Sequence, residues 1–234
     1  MIEAITFDFW NTLFKIPDDT VISKQRISNF YKVLLIGGYE VKVEDVATAF
    51  RECWEHANFC QRAYGREITP RGHVDFILKR LNLNLAGNIW DRVYHTYTTT
   101  LLEIPPVLND DVKETLPVLA ERYKLAVICN TGVTPGLILR EFIKNNQLQN
   151  YFKMMVFSDE VGWAKPNVNI FRYTLEGIKV ENSKAAHIGD DPITDIIGAK
   201  KAGMKAVWLA PNANWAVPEC DYHVRSVKKL IDLF

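Results

Sequence analysis

The sequence carries no excess charge: 28 Lys and Arg stand against 28 Asp and Glu, a formal net charge of zero. It therefore lacks the broad basic field that favours nucleic acid or an anionic membrane surface, and any anion site must be local. No apolar run approaches the ~20 residues that span a bilayer. The N-terminus has no basic segment followed by an apolar core and a small-residue cleavage site. The expectation is a cytoplasmic protein with neither nucleic-acid nor membrane partners. Cysteine is scarce, and Cys53, Cys60, Cys129 and Cys220 show no close metal-type pairing. Cys53 and Cys60 are spaced for one helix face, which makes reduced, structural thiols the default. Internal repeats and low-complexity tracts are also missing, which leaves an ordinary globular chain.

Of the 234 residues 48% are hydrophobic, enough for one substantial core plus an insertion. The first strong signal is Ile5-Thr6-Phe7-Asp8-Phe9-Trp10-Asn11-Thr12-Leu13, an apolar, β-rich run interrupted by a carboxylate. An ionised acid inside a strand core is costly without a partner. At the carboxyl end of the strand, Asp8 would instead face the crevice where open α/β sheets bind ligands. After a polar, Pro-containing turn over Lys15 to Asp19, apolar spacing predicts helices over Val21 to Ile36, Val43 to Tyr64, Pro70 to Leu81 and Gly87 to Leu102. Trp54, Phe59, Trp90, Tyr94 and Tyr97 are expected to fill the core of that bundle.

At Ile104-Pro105-Pro106-Val107 the composition changes and strands begin to alternate with helices. Strands are expected at Leu125 to Cys129, Met154 to Phe157, Ala185 to Ile188 and Lys205 to Leu209. The intervening helices are Asp111 to Glu121, Pro135 to Asn145, Asn169 to Gly177 and Asp195 to Ala202. With the first strand, this predicts an α/β fold: a doubly wound, parallel, five-stranded, Rossmann-like sheet. The expected core is residues 1–16 and 104–234, with residues 17–103 inserted as a helical unit.

A parallel sheet gathers its strand ends along one edge, so the polar residues there converge. Asn130-Thr131-Gly132 follows one strand as a cradle of side chains and N–H groups, although such turns are also ordinary capping chemistry. Lys165, ahead of Pro166, could reach back toward the edge. Asp190 and Asp191 end a third strand, where adjacent carboxylates repel unless a cation is near. Asp8, Asp190 and Asp191 are the hard oxygen ligands Mg²⁺ takes. Asp8 could then serve as a covalent nucleophile, with Lys165 neutralising charge and Asn130 and Thr131 hydrogen-bonding the transferred group.

Taken in order, these residues resemble the four motifs of the haloacid dehalogenase superfamily: Asp8 in Phe-Asp-Phe-Trp-Asn-Thr-Leu, the Asn-Thr-Gly turn, Lys165 in Trp-Ala-Lys-Pro, and Gly189-Asp190-Asp191 with Asp195 and Ala202-Gly203. The resemblance spans the whole chain. It implies an Asp nucleophile, Mg²⁺, a small phosphate ester as substrate, and a helical cap that closes over the site. It also implies that the residue at Trp10 gives the metal its backbone carbonyl.

Two departures stand out. Phosphatases of this superfamily place an acid/base Asp at the position of Trp10, and an indole cannot shuttle a proton. The dehalogenase branch has an aromatic residue there, so a carbon–halogen hydrolase is the alternative enzyme, and a phosphate-ester binding protein with little turnover the alternative class. At the second motif the family's Ser or Thr is replaced by Cys129, leaving Thr131 or Asn130 to take its role. His56, Arg62, Arg66, Glu67 and Arg71 are candidates for the inner face of the cap, although charged residues at a helix junction are more often solvated. Monomer and homodimer are both open.

Overall fold

The computed structural model describes residues 1–234. The chain opens with β1 (Ala4–Phe7) and a two-residue strand, β2 (Phe14–Lys15), then enters four helices: α1 (Asp19–Ile36), α2 (Val43–Tyr64), α3 (Pro70–Arg80) and α4 (Gly87–Glu103). It returns through β3 (Val107–Leu108), α5 (Val112–Ala120), β4 (Lys124–Cys129), α6 (Gly136–Asn145) and β5 (Phe152–Phe157). Next come α7 (Ser158–Val161), α8 (Val168–Ile178), β6 (Ala185–Gly189), a π-helical turn (Pro192–Ile197), α9 (Gly198–Lys201) and β7 (Lys205–Leu209). The last two elements are β8 (Tyr222–Val224) and α10 (Leu230–Leu233).

The main sheet has the order β5-β4-β1-β6-β7-β8, with every neighbouring pair parallel. It contains the five expected strands and a sixth, β8. Its Tyr-His-Val has too little apolar length to announce a strand, and pairing with β7 makes it one. Helices cover both faces: 25 buried side chains cluster on one side and 17 on the other, so β1 is enclosed from above and below. β1 sits between β4 and β6, where the chain order reverses, which puts Asp8 at a topological switch point.

The cap is inserted between β2 and β3, which pair antiparallel, Phe14 opposite Leu108 and Lys15 opposite Val107, so the chain enters and leaves it side by side. Asp18 caps α1 by accepting from the Thr20 and Val21 amides, which is why the helix starts before Val21. α2 buries Val46, Ala49, Cys53, Ala57 and Cys60, a stripe at three- and four-residue spacing. The cap has its own apolar cluster, with Phe30, Leu34, Val74, Ile77, Val93 and Tyr97 at its centre. Tyr97 is buried there, and Trp90 and Tyr94 pack against it. Trp54 and Phe59 do not belong to this core: they fall off the buried stripe of α2 and are 61% and 57% exposed. No helix is long and apolar enough to cross a membrane.

Candidate active site

Asp8 is at the carboxyl end of β1 and almost fully buried. Lys165, also buried, reaches it from the loop after α7: Nζ donates to Asp8 Oδ1 at 2.5 Å and to Asp195 Oδ1 at 2.6 Å. Asn130 clamps the lysine backbone, accepting from Lys165 N–H at 2.7 Å and donating to Lys165 C=O at 2.9 Å. Both ends of the Asn130 amide are thereby used on Lys165. Asp195 Oδ2 accepts from the Asp191 amide, and His187 Nε2 lies 3.2 Å from Asp195 Oδ1. Gly189 leaves the space this needs, since a Cβ there would stand 2.2 Å from the Asp195 carboxyl carbon. His187 is locked inside the sheet between Asp195 and Thr6. Burial, opposed by Asp195, lowers its pKa, so it is a neutral structural group.

The carboxylates of Asp8, Asp190 and Asp195 approach within 4.8 Å of one another. One ammonium serves two of them. Against the penalty of burial, Lys165 and His187 hold Asp195 well below the ordinary carboxylate range. Burial, opposed by Lys165 but reinforced by Asp195 and Asp190, pushes Asp8 well above it. Burial, with the charge of Asp195, pushes Asp190 to about 6 despite the hydrogen bond from Asn11 Nδ2 at 3.0 Å. The cluster therefore holds more negative charge than the protein neutralises, the condition a divalent cation relieves. Asp195 has its oxygens engaged, so Asp8 and Asp190 are the carboxylates left to coordinate. No hydrogen bond ends on the Trp10 carbonyl, which belongs to a residue lining the same cavity. This donor set of two carboxylates and a carbonyl fits Mg²⁺.

Asp191 stands apart from the cluster. Its carboxylate caps the π-helical turn through the Ile193 and Thr194 amides and pairs with Arg62 of the cap. Thr131 and Gly132 line the cavity, and Thr131 N–H donates to Ser158 Oγ at 2.8 Å. Cys129 is buried, and burial together with the charge of Asp8 pushes its thiol well above the usual value, so it is no thiolate.

Sheet edge and cap enclose a cavity of about 450 Å³, within the usual range for small-molecule sites. Of the cap candidates, only Arg62 lines it. His56 stacks on Phe76, Arg71 lies over Trp90, and Arg66 forms a backbone bridge to Trp163. Glu67 is buried against Ser158 and Gln61. Sequence reasoning missed Asp19, Arg26, Trp54, Asn58 and His73 as lining residues, along with Asn11 as a partner of Asp190. Trp54, Asn58 and Gln61 lie at i, i+4 and i+7 on α2, a spacing that could have singled out this face.

The haloacid dehalogenase-like hydrolase family model matches residues 50–209 of the 234. The chain belongs to this family. A glyceraldehyde 3-phosphate phosphatase of Pyrococcus abyssi is 31% identical over 89% of this chain and 82% of its own. The crystal structure of a haloacid dehalogenase-superfamily phosphatase from Thermococcus onnurineus superposes with TM-score 0.68 at 25% identity, covering 99% of this chain and 97% of that one. A 2-haloacid dehalogenase from Pseudomonas syringae has the same fold, with TM-score 0.72 at 24% identity over 100% and 98% of the two chains. This haloacid dehalogenase-like hydrolase thus has the superfamily's Rossmann-like core and helical cap.

Proposed function

We propose that this hydrolase is a Mg²⁺-dependent phosphatase of small phosphorylated metabolites. The observation that carries the reading is the shared Lys165 ammonium between Asp8 and Asp195, with Asp190 close by and carrying surplus charge. A haloacid carboxylate would be repelled by such a cluster, whereas a metal-bound phosphate is drawn to it. The relative named as a glyceraldehyde 3-phosphate phosphatase supports the same substrate class.

In this reading Asp8 and Asp190, with the Trp10 carbonyl, would hold the metal. Bound Mg²⁺ would neutralise phosphoryl oxygens and orient the ester. Thr131 and Gly132 cradle the same oxygens. Lys165 opposes the burial that raises the Asp8 carboxyl and holds it aligned. An Asp8 carboxylate oxygen attacks phosphorus, and the ester P–O bond breaks. Its electron pair leaves on the alcohol oxygen, which takes a proton from solvent because Trp10 offers none. Water then attacks the phosphorus of the acyl phosphate. The P–O bond to Asp8 breaks, returning the carboxylate, and the water's surplus proton passes to solvent. Residues 17–103 act as the lid that excludes bulk water during the first transfer.

Trp10 favours a second reading, the carbon–halogen hydrolase whose fold this chain shares. One assay separates the two: release of p-nitrophenol from its phosphate, with and without Mg²⁺, in wild type and Asp8→Asn. Metal-dependent turnover that disappears in Asp8→Asn is expected. No turnover in wild type, with halide released from 2-haloacids, overturns the phosphatase.

A further inference from the structure

The cavity wall opposite the acidic cluster is built by the cap, and its charges are unequally committed. Arg62 is paired with Asp191, and Gln61 is spent on Glu67. Arg26, half-buried on α1, has no carboxylate within ion-pairing distance. Its one hydrogen bond is from Nε to the Tyr97 carbonyl at 3.0 Å, and its guanidinium lies 5.8 Å from the Tyr97 ring centroid. That bond fixes the plane of the guanidinium and leaves both Nη groups without a protein acceptor. Asn58, from the neighbouring helix, lines the same cavity with an amide that makes no hydrogen bond to the protein. The other charge on the cap side is Asp19, exposed at the rim and felt only weakly by Arg26. His73, beside them, is pushed down to about 4 by burial and by Arg26, so it is neutral and adds no competing cation.

A fixed, partly desolvated guanidinium with two free donor groups is the arrangement that takes a planar carboxylate in a bidentate grip. Resting on the phosphatase reading, we propose that Arg26 and Asn58 anchor a carboxylate at the far end of the substrate. The favoured substrates are then short phosphorylated hydroxy acids, whose phosphate lies at the Asp8 end and whose carboxylate lies under α1. A neutral aldehyde or alcohol in that place leaves the guanidinium unpaired.

The test uses three substrates with one carbon skeleton that differ only at the terminal group: 3-phosphoglycerate, glyceraldehyde 3-phosphate and glycerol 3-phosphate. Wild type is expected to favour the carboxylate by about tenfold or more in kcat/KM over the alcohol, the range of a charge-assisted bond. Arg26→Gln should collapse that ratio toward one, chiefly through KM for the acid, and Arg26→Lys should restore part of it. Equal rates on the three substrates in wild type, or an Arg26→Gln loss that is the same for all of them, overturns the proposal. If p-nitrophenyl phosphate is still hydrolysed in an Asp8-dependent way, only the anchor has failed. If none of the four esters is hydrolysed, the phosphatase reading has failed and the anchor with it.

Discussion

Lys165 is 1% exposed and is the direct cationic partner of both Asp8 and Asp195. Removing one partner of a buried ion pair leaves uncompensated charge and typically costs about 3–5 kcal/mol. Lys165→Met should therefore lower the unfolding free energy of the metal-free protein by an amount in that range, seen as a lower urea midpoint, as well as abolish turnover. Added Mg²⁺ should recover part of the midpoint, because a cation at Asp8 and Asp190 relieves the same repulsion. A midpoint unchanged by the substitution would show that the carboxylates are already protonated. Trp10 makes the complementary prediction. Restoring a positioned acid is worth about a hundredfold when the leaving group is basic and much less when it is a phenol. Trp10→Asp should thus raise kcat on alkyl phosphates far more than on p-nitrophenyl phosphate, read as the ratio of the two rates. Asp8 and Asp190 were legible in sequence because each lies at a strand end, where chain order alone brings it to one edge, whereas Lys165, in the loop after α7, and Trp10 were legible through the motifs they sit in. Asp195 and Arg26 were not assigned roles, because their meaning depends on which neighbours are already paired.

Among the elements, the long amphipathic helices were the easiest to read. α2 runs over the residues its apolar spacing predicts, since its buried stripe and the left-handed Gly65 at its end agree. β8 and the β2–β3 pair were invisible: two or three residues carry no periodicity, and partners remote in sequence create them. The turn after α2 carries a pH-sensitive contact. Glu67 is 5% exposed, and burial, opposed by bonds from Ser158 and Gln61 and reinforced by Asp159, raises its carboxyl to about 7 from an ordinary 4.5. For a raised acid, the stabilising contribution of the protonated form is fully present below 4.5 and is lost as pH rises through about 7. The integrated effect is on the order of 3 kcal/mol. Glu67→Gln stays neutral and can still accept from Ser158. Between pH 5 and 8 the variant should lose less thermal stability than wild type, the difference growing toward pH 8. Parallel stability curves for the two proteins would remove Glu67 as the cause.

Cap and core meet along two different lines. At the base, beside the β2–β3 pair, Ile22 and Leu101 of the cap join the apolar cluster of the core. At the free edge the contacts are polar: Ala164 N–H donates to Gly65 C=O at 3.0 Å, Glu67 N–H lies 3.4 Å from Gly162 C=O, and Arg62 pairs with Asp191. Each backbone bond contributes only about 0.5–1.5 kcal/mol net, and an exposed ion pair about 0–1. The edge should therefore release well below the cost of global unfolding, about 5–15 kcal/mol for a typical protein, while the base and the separate apolar cluster of the cap stay intact. Native-state hydrogen exchange reads this directly: the Ala164 amide is expected to exchange by a low-energy opening, and the amides of β1 and β4 only by global unfolding. Gly65 supplies the control, because its φ of +58° disfavours any side chain and a Cβ would stand 2.6 Å from Asn167 Cβ. Gly65→Ala should speed exchange at Ala164 about tenfold, as expected of strain on the order of 1–2 kcal/mol, and leave exchange within α1 and α4 as it was. If Ala164 exchanges only together with β1 in wild type, cap and core open as one unit, and a lid hinged at β2 and β3 is ruled out.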